Sequence, residues 1–150
     1  MNTLSDRYVE VGRREEGLAA IEEAVHISRS LVEADLDAHL PRLAMSLANL
    51  SLRLAEVGRA EESLTLVQEA TAYFRTLAEA DPDAHLPYLA KTLNTLAYRL
   101  GQVGRREEGL AAIQEAVRIR RMLAEANPDR FRELLRDSLD GAAWLESLPQ

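Results

Sequence analysis

The segment Val11 to Val25, VGRREEGLAAIEEAV, returns as VGRAEESLTLVQEAT at 57–71 and as VGRREEGLAAIQEAV at 103–117, so the chain repeats itself every 46 residues. Residues 11–30 and 103–122 agree at 16 of 20 positions, more than a shared bias toward Ala, Glu and Arg produces. A fixed period of this length, without β-branched runs or periodic Pro-Gly pairs, is the mark of a helical repeat array. In such an array each unit has an apolar face too small to form a core alone and buries it against its neighbours.

Within the period, apolar residues fall at steps of three and four. Leu40, Leu43, Leu47, Leu50, Ser51 and Leu54 make one stripe, and Leu64, Val67, Ala70, Thr71, Phe74 and Leu77 make the next. Such stripes mark helices that bury one side. Gly58 and Gly104 stand where two helices must reverse, and Asp35, Asp37, Asp81-Pro82 and Asn127-Pro128 supply helix starts. The equivalent Gly12 is expected to break the chain in the same way, with a helix following it to about residue 34. Residues 1–10 align with 47–56, so the chain is read as opening midway through a helix. The last helix, about 129–147, departs from the pattern: Arg132 and Glu146 stand where Leu40, Leu86, Leu54 and Leu100 stood. Charge at those positions fits a capping helix with nothing packed beyond it. The expectation is one all-α domain of about seven helices, the first truncated. It divides into a partial repeat at 1–34, repeats at 35–80 and 81–126, and a C-terminal capping helix at 127–150.

Composition narrows the function classes. There is no cysteine, which excludes disulfides and thiolate metal sites. The net charge is −7, and the cations, 17 Arg and the single Lys91, are scattered among 25 acids. No clustered basic surface exists for phosphate neutralisation, so no nucleic-acid partner is expected. No apolar run approaches the roughly 20 residues of a membrane span, and the N-terminus lacks the pattern of an export signal. The chain reads as cytoplasmic. His26, His39 and His85 are the histidines, and none arrives with carboxylates at ligand spacing, so no metal or other cofactor is expected. Glu15-Glu16, Glu61-Glu62 and Glu107-Glu108 recur with the period at helix starts, where negative charge suits the helix dipole. A catalytic pair needs to occur once, so these are structural, and no phosphate-binding or nucleophile motif is present. No catalytic residue and no enzymatic activity are expected.

With the GRREE turn and the helices of Asn94 to Glu125 in view, the chain resembles the tetratricopeptide repeat family. It is most similar to the long-helix type of kinesin light chains and large actinobacterial arrays. The resemblance rests on Leu followed by a small residue (Leu50-Ser51, Leu96-Ala97), on Gly at the turn, on Ser63 and Gly109 early in the second helix, and on Ala24, Ala70 and Ala116 later in it. The 46-residue period exceeds the family's usual length, and Leu replaces most of its aromatic packing residues. The resemblance implies a right-handed α-solenoid of antiparallel helix pairs whose first helices line a concave groove. It places Met45, Ala48, Leu52 and Ala55, then Lys91, Asn94, Tyr98 and Gly101, then Asp137, Asp140 and Trp144 on that groove. Leu52, Tyr98 and Trp144 are spaced 46 apart and form a column that fits a peptide anchor as well as simple packing. Arg7, Arg53 and Arg99 form a second column on the flank, suited to a carboxylate ligand or to pairing with nearby acids.

The resulting expectation is a non-catalytic scaffold that binds a peptide or protein segment in the groove, as a fragment of a larger regulatory or sensor protein. The alternative is a self-assembly element. In that reading a half-paired face of Leu18, Ile21 and Val25 near the N-terminal end joins copies into a homo-oligomer.

Overall fold

Each hairpin of the repeat begins at a side chain that accepts a backbone N–H. Asp35 accepts from Ala38, Asp81 from Ala84 and Asn127 from Arg130, each at 3.3 Å. Each of these satisfies one of the orphan donors of a helix start, and in two of the three the next residue is a proline, which has no N–H to lose. The computed structural model describes residues 4–150, and the side chains of all of these but 4–9, 34, 36 and 37. The described residues form six helices: α1 Leu4–Ala34, α2 Leu36–Glu56, α3 Ala60–Ala80, α4 Pro82–Gln102, α5 Arg106–Ala126 and α6 Pro128–Ser147. No strand occurs among the described residues. The architecture is an all-α helical repeat.

Reversals after α2 and α4 use the same device. Gly58 and Gly104 have φ of +81° and +82°. The N–H of Arg59 reaches Leu54 O at 2.9 Å and that of Arg105 reaches Leu100 O at 2.8 Å, closing the last turn of each helix over its own carbonyls. Gly12, in the same Val-Gly-Arg context, does not turn. Here α1 runs unbroken through it, which reduces the expected seven helices to six. A reversal opens a helix and must be offset by packing of the segment that folds back. Gly58 and Gly104 each follow a 21-residue helix, whereas at Gly12 the backbone stays helical from Leu4 to Ala34.

This contrast predicts opposite signs for one substitution. Gly12→Ala adds a helix former at a site with nothing within 4 Å and is expected to raise stability by about 0.5–1 kcal/mol. Gly58→Ala and Gly104→Ala, equally uncrowded, force a Cβ into the left-handed region and are expected to lower it by about 1–2 kcal/mol. Urea unfolding of the three variants checks both signs.

The chain forms two compact units, Met1–Leu66 and Val67–Gln150. In the first, Leu43, Ala44, Leu47 and Leu54 of α2 are at most 2% exposed. Leu18 and Val25 of α1 are buried as well, at 9% and 6%. The face of Leu18, Ile21 and Val25, expected to be half-paired, is therefore mostly covered. Ser51 and Ser63 exchange hydrogen bonds across the α2–α3 hairpin: each hydroxyl donates to the other's carbonyl at 2.8 Å. Both are fully buried, and the short side chains let the two backbones approach.

In the second unit α4, α5 and α6 pack in succession. Its closest approach is the register equivalent of the serine pair: a Cβ on Gly109 would sit 3.0 Å from the carbonyl oxygen of Ala97. Phe74 of α3 is buried and stacks on Tyr88 of α4 with ring centroids 5.6 Å apart. Arg106 at the start of α5 donates to Leu145 O at 3.0 Å and Glu146 O at 3.3 Å, which satisfies carbonyls left over at the end of α6.

Candidate interaction site

Along α4, steps of three and four bring Lys91, Asn94, Tyr98 and Gly101 to one side; along α6, Asp137, Gly141 and Trp144 meet them. Tyr98 and Trp144 form a tilted aromatic pair with centroids 4.9 Å apart and planes at 37°. Tyr98 remains 47% exposed, and Trp144 is half-buried. Glycine makes the pairing possible: a Cβ on Gly101 would lie 2.7 Å from Cζ3 of Trp144 and 2.8 Å from its Cη2. Gly141 does the same against α5, where a Cβ would meet Ile113 Cδ1 at 3.2 Å. Between the aromatic pair and Asn94 and Asp137 lies a depression of about 200 Å3 with Ala97, Ile113 and Leu145 on its floor. An apolar base, two aromatic rings and two polar groups on the rim suit an extended peptide with one anchoring side chain.

Beneath this face sits a charge that the hydrophobic pattern conceals. Arg120 of α5 is 5% exposed. Its Nη1 donates to Ser138 Oγ at 2.7 Å and to Leu134 O at 2.9 Å, with Asn94 Oδ1 at 3.4 Å. Ser138 in turn donates to Asn94 Oδ1 at 2.9 Å. Burial pushes the Arg120 guanidinium below its usual range, and the carboxylate of Asp137 opposes that shift; it stays cationic at neutral pH. The network fixes Asn94 by its oxygen, leaving the amide nitrogen as the donor available on the rim.

Of the other residues singled out, Lys91 is exposed, and Met45 and Leu52 on α2, in the first unit, are half-buried. Arg53 is paired with Glu56 at 2.8 Å. Arg99 donates from Nη1 to Gln102 at 2.9 Å and lies 5.4 Å from the Tyr98 ring centroid, with its Nε buried and unbonded. The flanking arginines thus have neighbours within their own helices. The side chain of Arg7 lies outside the described ones. Among the described residues no group of three or more His, Asp or Glu side chains is placed to hold a metal ion, and no helix is long and apolar enough to cross a membrane.

The seat of Trp144 on Gly101 yields a prediction. Gly101→Val overfills it and is expected to displace the indole at a cost of about 1–3 kcal/mol. Because Trp144 is the single tryptophan, the displacement reads directly as increased acrylamide quenching and a red-shifted emission.

Residues 89–130, from the middle of α4 through α5 to the start of α6, match the family model described as tetratricopeptide repeat. No curated protein matches the chain. Repeats of this family mediate protein–protein interactions.

Proposed function

We propose that this chain, which carries the tetratricopeptide repeat, is a non-catalytic scaffold that binds a peptide or protein segment on the α4–α6 face, within a larger regulatory or sensor protein of the cytoplasm. The observation that carries the reading is Tyr98: a large aromatic ring left half exposed, held against Trp144 at the mouth of a depression with an apolar floor. Aromatic anchors of this kind concentrate binding energy because they offer large rigid area at small entropic cost. In this reading the ligand's anchoring side chain lies beside the ring pair. The Asn94 amide meets a backbone carbonyl, and Asp137 favours a basic residue or an N–H nearby. Lys91 extends this surface along α4 and Arg99 borders it; in the first unit Met45 and Leu52 of α2, bordered by Arg53, are ligand contacts by their register with Lys91, Tyr98 and Arg99.

A display selection of random peptides on the wild-type chain tests the proposal. Selected peptides are expected to bind the Tyr98→Ala variant at least about tenfold more weakly. Undiminished binding to Tyr98→Ala and to Trp144→Ala alike places the ligand elsewhere.

A further inference from the structure

The depression between α4 and α6 has a single ionised group on its wall. Among the described residues that line it, Asp137 alone is charged at neutral pH; Lys91, Arg99 and Arg120 do not line it. Asp137 is exposed and makes no hydrogen bond or close ion pair among the described residues. It acts on Arg120 through space, but that guanidinium is buried behind the wall, where Nη1 is bonded to Ser138 Oγ and Leu134 O and lies 3.4 Å from Asn94 Oδ1. Elsewhere in the unit Glu107, Glu108 and Glu115 each face an arginine. The carboxylate of Asp137 is left without one, beside two aromatic rings whose π faces attract cations. The Tyr98 ring already stands near a guanidinium on its flank, with Cζ of Arg99 5.4 Å from its centroid.

We infer that the side chain anchored in this depression is an arginine of the bound segment. The inference rests on the reading of the α4–α6 face as a peptide site and names the ligand of that site. A volume of about 200 Å3 is below the roughly 300–1,000 Å3 of small-molecule pockets, so it takes one side chain. Three of its features each match a part of arginine. The apolar floor of Ala97, Ile113 and Leu145 covers the methylene stem, as apolar surface does for long cationic side chains. The Tyr98–Trp144 pair stacks with the flat guanidinium, and Asp137 receives its paired N–H groups. Lysine carries a point charge that cannot stack and bond in two places at once, and an apolar anchor leaves the carboxylate unmatched. A net charge of −7 favours the approach of a basic segment.

Random heptapeptides displayed on phage are panned on the wild-type chain, and those also retained by Tyr98→Ala are removed. The peptides that remain are expected to share one arginine. Resynthesised with citrulline in its place, which keeps the shape and loses the charge, they are expected to bind at least about tenfold more weakly, and with lysine about threefold more weakly. In Asp137→Asn the loss from arginine to citrulline is expected to shrink by about three- to tenfold. In this cycle any effect of the substitution on folding cancels. Peptides that depend on Tyr98 but share no arginine overturn the inference and leave the reading of the face in place. So do citrulline or lysine forms that bind as tightly as arginine, and a citrulline loss unchanged in Asp137→Asn. Failure to recover any peptide that depends on Tyr98 overturns the reading of the face, and this inference with it.

Discussion

Arg120→Ala is expected to destabilise the second unit by about 2–4 kcal/mol, whereas Arg120→Met stays within about 1 kcal/mol of wild type. The two substitutions remove the same charge but leave different interiors. Alanine vacates the volume of a long side chain and withdraws the donor shared by Ser138 and Leu134 O. Methionine refills most of that volume and leaves Ser138 donating to Asn94. A buried cation whose hydrogen bonds go to a hydroxyl, an amide and a carbonyl, with a carboxylate acting only through space, is a poor source of net stability, because its desolvation offsets those bonds. Its volume and its hold on Asn94 are what the fold uses. Urea unfolding of both variants gives the comparison. Equal losses would show that the charge itself, and not the filling, supports the packing of α5 on α6.

Phe74→Ala should cost about 3–5 kcal/mol, as truncations of buried aromatic side chains do. Phe74 is 2% exposed and stacks on Tyr88, so its loss opens a cavity and strips the inner side of the tyrosine. Phe74 and Arg120 occupy the same position of the 46-residue period, which Ser28 fills in α1. All three are buried, Ser28 at 3%, Phe74 at 2% and Arg120 at 5% exposure. The double variant Phe74→Arg, Arg120→Phe is expected to lose more than either truncation. The neighbours are specific: Asn94 and Ser138 receive the guanidinium, while Tyr88 receives the ring.

That position also marks the limit of what the sequence reveals. The period exposes helix pairs, the reversals at Gly58 and Gly104, and the spacing that brings Tyr98 and Trp144 together, because these follow from residue types recurring at fixed steps. It conceals Arg120, since an arginine aligned with a serine and a phenylalanine looks like drift at a solvated site, and its acceptors come from two other helices. Gly12 misleads for a similar reason. The triplet Val-Gly-Arg is identical at all three positions, but the chain reverses only at Gly58 and Gly104. The exposed residues of α1 are not those expected to be bare. Leu18 and Val25 are buried, whereas Gly17, Ala20, Ala24 and Ile27 are exposed. The family resemblance placed Gly101 on the expected groove; its role as the seat of the indole appears only with the three-dimensional distances.

The most direct measurement of the central claim, that the α4–α6 face takes a peptide against Tyr98 and Trp144, is the fluorescence of Trp144 itself. Titration of the wild-type chain with a selected peptide is expected to shift the emission and protect the indole from acrylamide, saturating at the concentration found by an independent binding assay. Peptides that bind with full affinity while leaving the spectrum and the quenching of Trp144 unchanged would contradict it.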